Sequence, residues 1–330
     1  MPALLATGGR VLTPASRDAT AMAYENGLLT WAGADAPGPA LFPEADRIDL
    51  GGDWVAPAFV DCVVDGSDTR VGSGTRDGSD IQVGTDPAAA AAGVVLAALP
   101  AAHGLDAVDD RVRAAERVIL GPGVDPATVA AELTRLAGEL GGPAVARTTP
   151  VLIGAAEISD DDLSALASVG AVLLIRPLID DLTGLDLVRI AASGVALAAT
   201  VSTADSVRTA ATVGTVGTDH VYRPWDALRA LTSIDGGRGL SPRAAFTATT
   251  RGARRAAGAR DGLSGTLAPG APATYARWET GELAVVAADD AVQRWSTDPR
   301  SGVPPLPDLT GPDPVLRSLV VDGTPADTAE

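Results

Sequence analysis

The sequence predicts an α/β fold, a parallel sheet wound with helical crossovers, and three observations predict it. Residues 59–64 are a short apolar run, opened by Pro57 and closed by a polar, glycine-containing segment from Asp65. A strand buried on both faces of a parallel sheet reads this way. From residue 87 onward, apolar runs of strand length alternate with capped or amphipathic runs of helix length. That alternation means parallel strands joined by helices. Between Val55 and Gly258 lie about 200 residues, the low end for eight strand–helix units. Closed as a TIM-like (β/α)8 barrel, such a sheet would have some strands or helices shortened or missing.

The elements follow in chain order. Residues 3–12 and 20–32 read as short strands, and Asn26-Gly27 supplies a hairpin turn because both residues tolerate positive φ. Residues 47–55 form a third strand with another turn. Residues 65–86 are rich in Gly, Ser, Thr and Asp, with Asp-Gly-Ser-Asp at 65–68 and again at 77–80. Carboxylates and hydroxyls suit calcium, but the spacing fits no EF-hand and no Glu closes it, so a solvated loop over the barrel mouth is favoured. Ala-rich 88–92 leads into the apolar run 93–99, and 106–118 is amphipathic. Asp125-Pro126 opens a helix through Leu140 that Gly141-Gly142 stops. Residues 144–147 and 150–153 read as short strands. Ser159 caps a helix to Val169, and three acids behind it suit the positive helix end. Strand 172–175, helix 184–192 and strand 195–201 continue the alternation. Helices follow at 224–231 and 241–257, the second opened by Ser241-Pro242.

Composition narrows the function classes. The chain has 330 residues, 46% hydrophobic and 20% charged, which suits one large domain or one domain with a small companion. Aromatics are only 3%, so the core must be built from Ala, Val and Leu. All 25 basic residues are arginine, a composition of actinobacterial, GC-rich type. The absence of lysine rules out a Gly-x-x-x-x-Gly-Lys phosphate loop. A net charge of −17 repels nucleic acid and anionic membrane surfaces. No uncharged run approaches a membrane span and no secretory leader pattern opens the chain, so a cytoplasmic location is expected. Cys62, the single cysteine, reads as a small buried apolar residue.

Pro57-Ala-Phe-Val-Asp61 resembles the first barrel strand of the amidohydrolase superfamily, where Gly-Phe-Val-Asp-x-His-x-His places two metal-binding histidines. Phe59, Val60 and Asp61 keep the frame, whereas Val63 and Asp65 hold the histidine positions. Residues 265–274, Gly-Thr-Leu-Ala-Pro-Gly-Ala-Pro-Ala-Thr, resemble the family's closing Gly-Ser-Leu-x-Pro-Gly-Lys-x-Ala-Asp. The tail resembles the branch whose members hydrolyse amides and related C–N bonds. The resemblance implies a small β-sandwich made by residues 1–55 plus 265–330, outside a barrel of residues 56–264.

Its chemistry implies a metal, because bound zinc brings the pKa of water from about 15.7 to about 7. The bridging carbamylated lysine of many relatives is excluded by composition. Residues 150–159 resemble a histidine-bearing strand, with Pro150 and Gly154 at its ligand positions. Residues 194–205 resemble the strand carrying the general base, which falls on Ser202, or on Val201 with a one-residue shift. The leading expectation is a homologue with a degenerate metal site and no cofactor, acting as a small-molecule-binding or partner subunit. Its partner would be a further copy or an amidohydrolase relative. The alternative is an active C–N hydrolase with a rebuilt or metal-free site. Polar residues at predicted strand ends, Asp65, Arg147, Arg176 and Asp205, are its candidate catalytic groups. A substitute zinc site would draw on His103, His220 and Asp65 or Asp205.

Overall fold

A computed structural model describes residues 3–64, 83–100, 102–203, 221–281, 283–286, 295–296 and 305–326. Both ends of the chain contribute to the β-structure outside the parallel strands. Residues 3–12, read above as one strand, are two: β1 (Leu4–Thr7) and β2 (Arg10–Val11). Gly8, at φ 75°, turns the chain between them, and they join different sheets. β1 lies between β3 (Ala21–Glu25) and a later strand, while β4 (Leu28–Gly33) pairs with β3 across Asn26 and Gly27. Both turn residues have positive φ, 52° and 79°, as a type I′ hairpin requires. After the one-turn helix α1 (Gly38–Leu41), β5 (Asp46–Asp49) runs parallel to β1 on its free side. Next, β6 (Trp54–Pro57) crosses to the second sheet beside β2.

The parallel part begins at β7 (Phe59–Val64), with β8 (Val83–Gly84), α2 (Pro87–Ala91) and β9 (Val94–Leu99) following. β7 and β9 pair in parallel, with Asp61 opposite Leu96. Then come α3 (Val108–Arg113), β10 (Ile119–Leu120), α4 (Pro126–Leu140), α5 (Gly142–Arg147) and β11 (Val151–Ile153). α6 (Asp160–Ser168), β12 (Val172–Ile175), α7 (Leu187–Ala192) and β13 (Ala196–Ala199) complete it. β10 to β13 pair in parallel in chain order. A single parallel bridge, His103 with Leu120, joins the segment after β9 to β10. Among the described residues no strand pairing closes β13 onto β7. The expected strand at 144–147 is instead α5. Pro143 sits in its first turn and Gly141, at φ 89°, ends α4 directly before it.

Beyond β13 lie α8 (Pro224–Thr232), α9 (Pro242–Thr247), a π-helical turn over Ala248–Gly252 and α10 (Ala253–Ala257). α10 packs against β7, β9, β12 and β13. Gly252 permits the approach, since a Cβ there would stand 2.1 Å from the Leu197 carbonyl oxygen. β14 (Tyr275–Glu279) re-enters beside β6. Short strands β15 (Leu283–Val286), β16 (Trp295–Ser296) and β17 (Leu306–Pro307) form their own sheet. Finally β18 (Val315–Val321) and β19 (Thr324–Pro325) complete the second end sheet, ordered β19-β18-β14-β6-β2.

Buried apolar residues form two clusters. The larger is Ala, Val and Leu around the parallel strands; the smaller, around Met22, Tyr24, Leu50 and Tyr275, fills the end sheets. The few aromatics concentrate where the two parts meet. Phe59 packs edge-on to Trp225, Phe246 and Trp278, with ring centroids 5.2, 5.3 and 6.0 Å away. Trp54 stands 5.7 Å from Phe246 and 6.2 Å from Trp225. Such edge-to-face pairs add roughly 0.5–1.5 kcal/mol each beyond the area they bury.

Candidate functional site

In parallel α/β folds, chemistry sits at the C-terminal ends of the strands. The first strand brings Asp61, wholly buried in the middle of β7. Its Oδ1 accepts a hydrogen bond from the Val201 backbone N–H at 2.8 Å. Val201 lies just past β13, so this carboxylate ties the first parallel strand to the last one. Phe59 is the hub of the aromatic cluster. Phe59 and Asp61 of the frame therefore have packing roles.

At the end of β11, Gly154 takes φ 106°. A Cβ there would lie 3.7 Å from Pro122 and 4.0 Å from Arg176 Nη2. Arg176 follows β12 directly and is held by Asp180. Its Nε and Nη2 donate to Oδ1 at 3.0 and 2.6 Å, and its backbone N–H donates to Oδ2 at 2.9 Å. The two side chains are only 10% and 7% exposed. A buried guanidinium thus stands over the place where the resemblance expects a metal-binding histidine.

Beside it, Ser202 bridges Tyr222 in antiparallel fashion, and the Thr203 N–H donates to the Val221 carbonyl at 3.0 Å. The Tyr222 hydroxyl donates to Asp86 Oδ2 at 3.5 Å. Burial, then the charges of Asp86 and Asp61, push that hydroxyl far above the ordinary phenol range. It therefore stays a neutral donor at physiological pH. Asp86 Oδ1 meanwhile accepts the Ala89 N–H at 2.7 Å, capping α2.

Of the candidates read from sequence, His103, Arg147 and Arg176 lie among the described residues. Asp65, Asp205 and His220 lie outside the described residues. His103 is half-buried in its bridge to Leu120, its N–H donating to the Ile119 carbonyl at 2.9 Å. Arg176 does stand at a strand end, in the buried pair with Asp180. Arg147 does not: it occupies the exposed last turn of α5, before β11 rather than after it. The two arginines are at opposite ends of the strands. Cys62 is buried, its Sγ 3.6 Å from the Ala253 carbonyl, and burial raises its pKa. An inert core thiol fits that setting.

Among the described residues no three His, Cys, Asp or Glu side chains converge to hold a metal. Pro150 and Gly154 offer no side-chain donor, and the guanidinium beside Gly154 is already paired with Asp180.

No protein-family model matches the chain. An imidazolonepropionase from Paraburkholderia phymatum is 49% identical over 45 residues, 14% of this chain and 11% of that protein. Similarity to solved structures runs the whole length. Against E. coli guanine deaminase the TM-score is 0.56 at 14% identity, covering 100% of both chains. A triazine hydrolase from Arthobacter aurescens gives 0.56 at 15%, covering 98% of this chain and 94% of that one. An amidohydrolase from a Sargasso Sea sample gives 0.53 at 14%, covering 98% and 92%. The chain has the amidohydrolase fold, mixed α/β with a separate β-rich part built from its ends.

Proposed function

We propose that this chain is an amidohydrolase-fold protein with a degenerate metal site, which does not catalyse metal-dependent hydrolysis. It acts as a small-molecule-binding or partner subunit, assembled with a further copy or with an amidohydrolase relative. The observation that carries the reading is the Arg176–Asp180 pair, whose guanidinium stands over Gly154. Bound metal makes hydroxide available near neutral pH, a change of about 9 pKa units in water. At Gly154 the chain offers instead a guanidinium already paired with Asp180, which has no lone pair to give a metal. The reading divides the chain into a barrel of residues 56–264 and a sandwich of residues 1–55 plus 265–330. No described helix is long and apolar enough to cross a membrane, and we propose a cytoplasmic location.

Elemental analysis of purified protein tests the reading. It expects zinc, iron and manganese far below one equivalent per chain, and about one tightly held equivalent would sink it.

The local match to an imidazolonepropionase favours a second reading, an active hydrolase of non-peptide or cyclic C–N bonds. Its groups would be Asp65, Arg176 and Asp205, with Arg147 away from that face, or zinc held by His103, His220 and Asp65. Turnover of an amide and cyclic imide panel, abolished by Asp65→Ala or Asp205→Ala, would establish it. A flat panel would count against it.

A further inference from the structure

A cleft of about 430 Å³ opens at the N-terminal ends of β11 and β12, the end opposite Arg176. Small-ligand sites occupy roughly 300–1,000 Å³. Its walls are α5, the approaches to both strands, and the chain from Arg251 to Ser264. Four exposed arginines line it: Arg147, Arg251, Arg255 and Arg260. Among the described residues none of the four joins an ion pair, although the chain carries 42 acids. Arg113, Arg135, Arg176, Arg189, Arg229 and Arg277, by contrast, are all paired. The one acid lining the cleft is Asp261, and it is turned into its own loop. Its Oδ1 accepts the Leu263 and Ser264 N–H groups, both at 2.9 Å, and its Oδ2 accepts Ser264 Oγ–H at 2.6 Å.

The backbone around these arginines is also unusual. Arg251 and Arg255 are four residues apart, where like charges on a helix repel. They flank the end of the π-helical turn, a feature frequent at functional sites. Thr149, on the cleft wall, holds φ 46°, a strained setting for a β-branched residue. Its Oγ1 accepts from Arg260 Nη2 at 3.2 Å. Gly170 and Gly262 stand beside the guanidiniums: a Cβ would lie at ordinary contact distance, 3.7 Å from Arg255 Nη2 and 3.9 Å from Arg251 Nη2, respectively. Nearby, half-buried Arg117 donates to the Ala256 and Ala257 carbonyls at the end of α10. Burial, then the like charge of Arg260, disfavours its charged form.

We propose that this cleft binds a small anion carrying two or more phosphate groups. The guanidinium fork matches phosphate oxygens in pairs, and four forks offer more donors than a single phosphate takes up. An extended polyanion is repelled by the overall charge of −17, whereas a compact one meets the arginines alone. The site stands apart from the strand C-termini and does not depend on what those do.

Titration calorimetry at fixed ionic strength, without divalent cations, tests it with inorganic pyrophosphate and with ADP. The expected result is saturable binding of pyrophosphate, weakened at least roughly tenfold by the double variant Arg251→Gln/Arg255→Gln. Arg135→Gln, a paired arginine on another surface, leaves it unchanged. Both cleft arginines are exposed, and an unchanged ligand-free melting temperature verifies folding. ADP binding at least roughly tenfold tighter than pyrophosphate identifies a nucleotide as the source, and equal binding identifies the phosphates alone. No saturable binding of either probe, or equal binding by the double variant, overturns the proposal.

Discussion

Arg176 and Arg255 stand at opposite ends of the same parallel strands and live in opposite surroundings. Arg176 is buried, its guanidinium locked onto Asp180 and its backbone N–H onto the same carboxylate. Arg255 is exposed, with no ion-pair partner among the described residues and three further arginines lining the same cleft. At the first end, charge is neutralised and water excluded, so a bound ion has little to gain. At the second, charge accumulates against solvent. The difference teaches that a residue's type says less about its use than the partner within reach.

Removing one member of the buried pair is the largest test of that contrast. Arg176→Ala leaves Asp180 charged and buried, and should destabilise the protein by about 3–5 kcal/mol in urea unfolding. The double variant Arg176→Met/Asp180→Leu should recover most of that loss. A loss below about 1 kcal/mol for the single variant would break the comparison.

Asp61→Ala comes next. It strips the acceptor from the Val201 N–H and should lower stability by about 1–3 kcal/mol, whereas Asp61→Asn keeps an acceptor and should lower it less. Arg255→Ala sits at the other extreme, within about 0.5 kcal/mol of the parent by the same measurement.

A third setting, exposed but paired, sharpens the scale at its small end. Asp109 accepts from both Arg113 and Arg135, and those hydrogen bonds draw its pKa from 3.8 to about 2. A depressed carboxylate contributes stability above its unfolded value and loses it as pH falls through the folded value. The melting midpoint should therefore decline between pH 4 and pH 2, less steeply in Asp109→Asn. High salt should shrink the difference, because this network is open to solvent. Titration of the Asp109 carboxyl by NMR reads the folded value directly.

Where structure is written in neighbouring residues, the sequence was legible. Asn26-Gly27 makes its hairpin, and Asp125 and Ser159 cap their helices through the Thr128 and Asp162 N–H groups. Residues 144–147 misled because Ala-Val-Ala before a single arginine is too short to show a period. The start signal lay just before them, in Gly142-Pro143. Residues 3–12 misled differently, since nothing local says that Gly8 hands the chain to another sheet.

At the candidate site, the position of Arg176 was readable at a strand end, but its approach to Gly154 is tertiary. Asp61 meets the Val201 N–H, a partner 140 residues away that no local pattern announces. Arg147 reaches Arg251, Arg255 and Arg260 across more than a hundred residues of chain, and no local pattern announces that meeting.

The aromatic cluster makes the junction of the two parts optically addressable. Three of the chain's five tryptophans, Trp54, Trp225 and Trp278, belong to it. Trp54 and Trp278 ride on the end sheets, while Trp225 rides on a helix beside the parallel strands. Emission wavelength and quenching by acrylamide thus report on that seam more than on any other place in the molecule. Loosening of one part from the other should redshift the spectrum before helical ellipticity is lost.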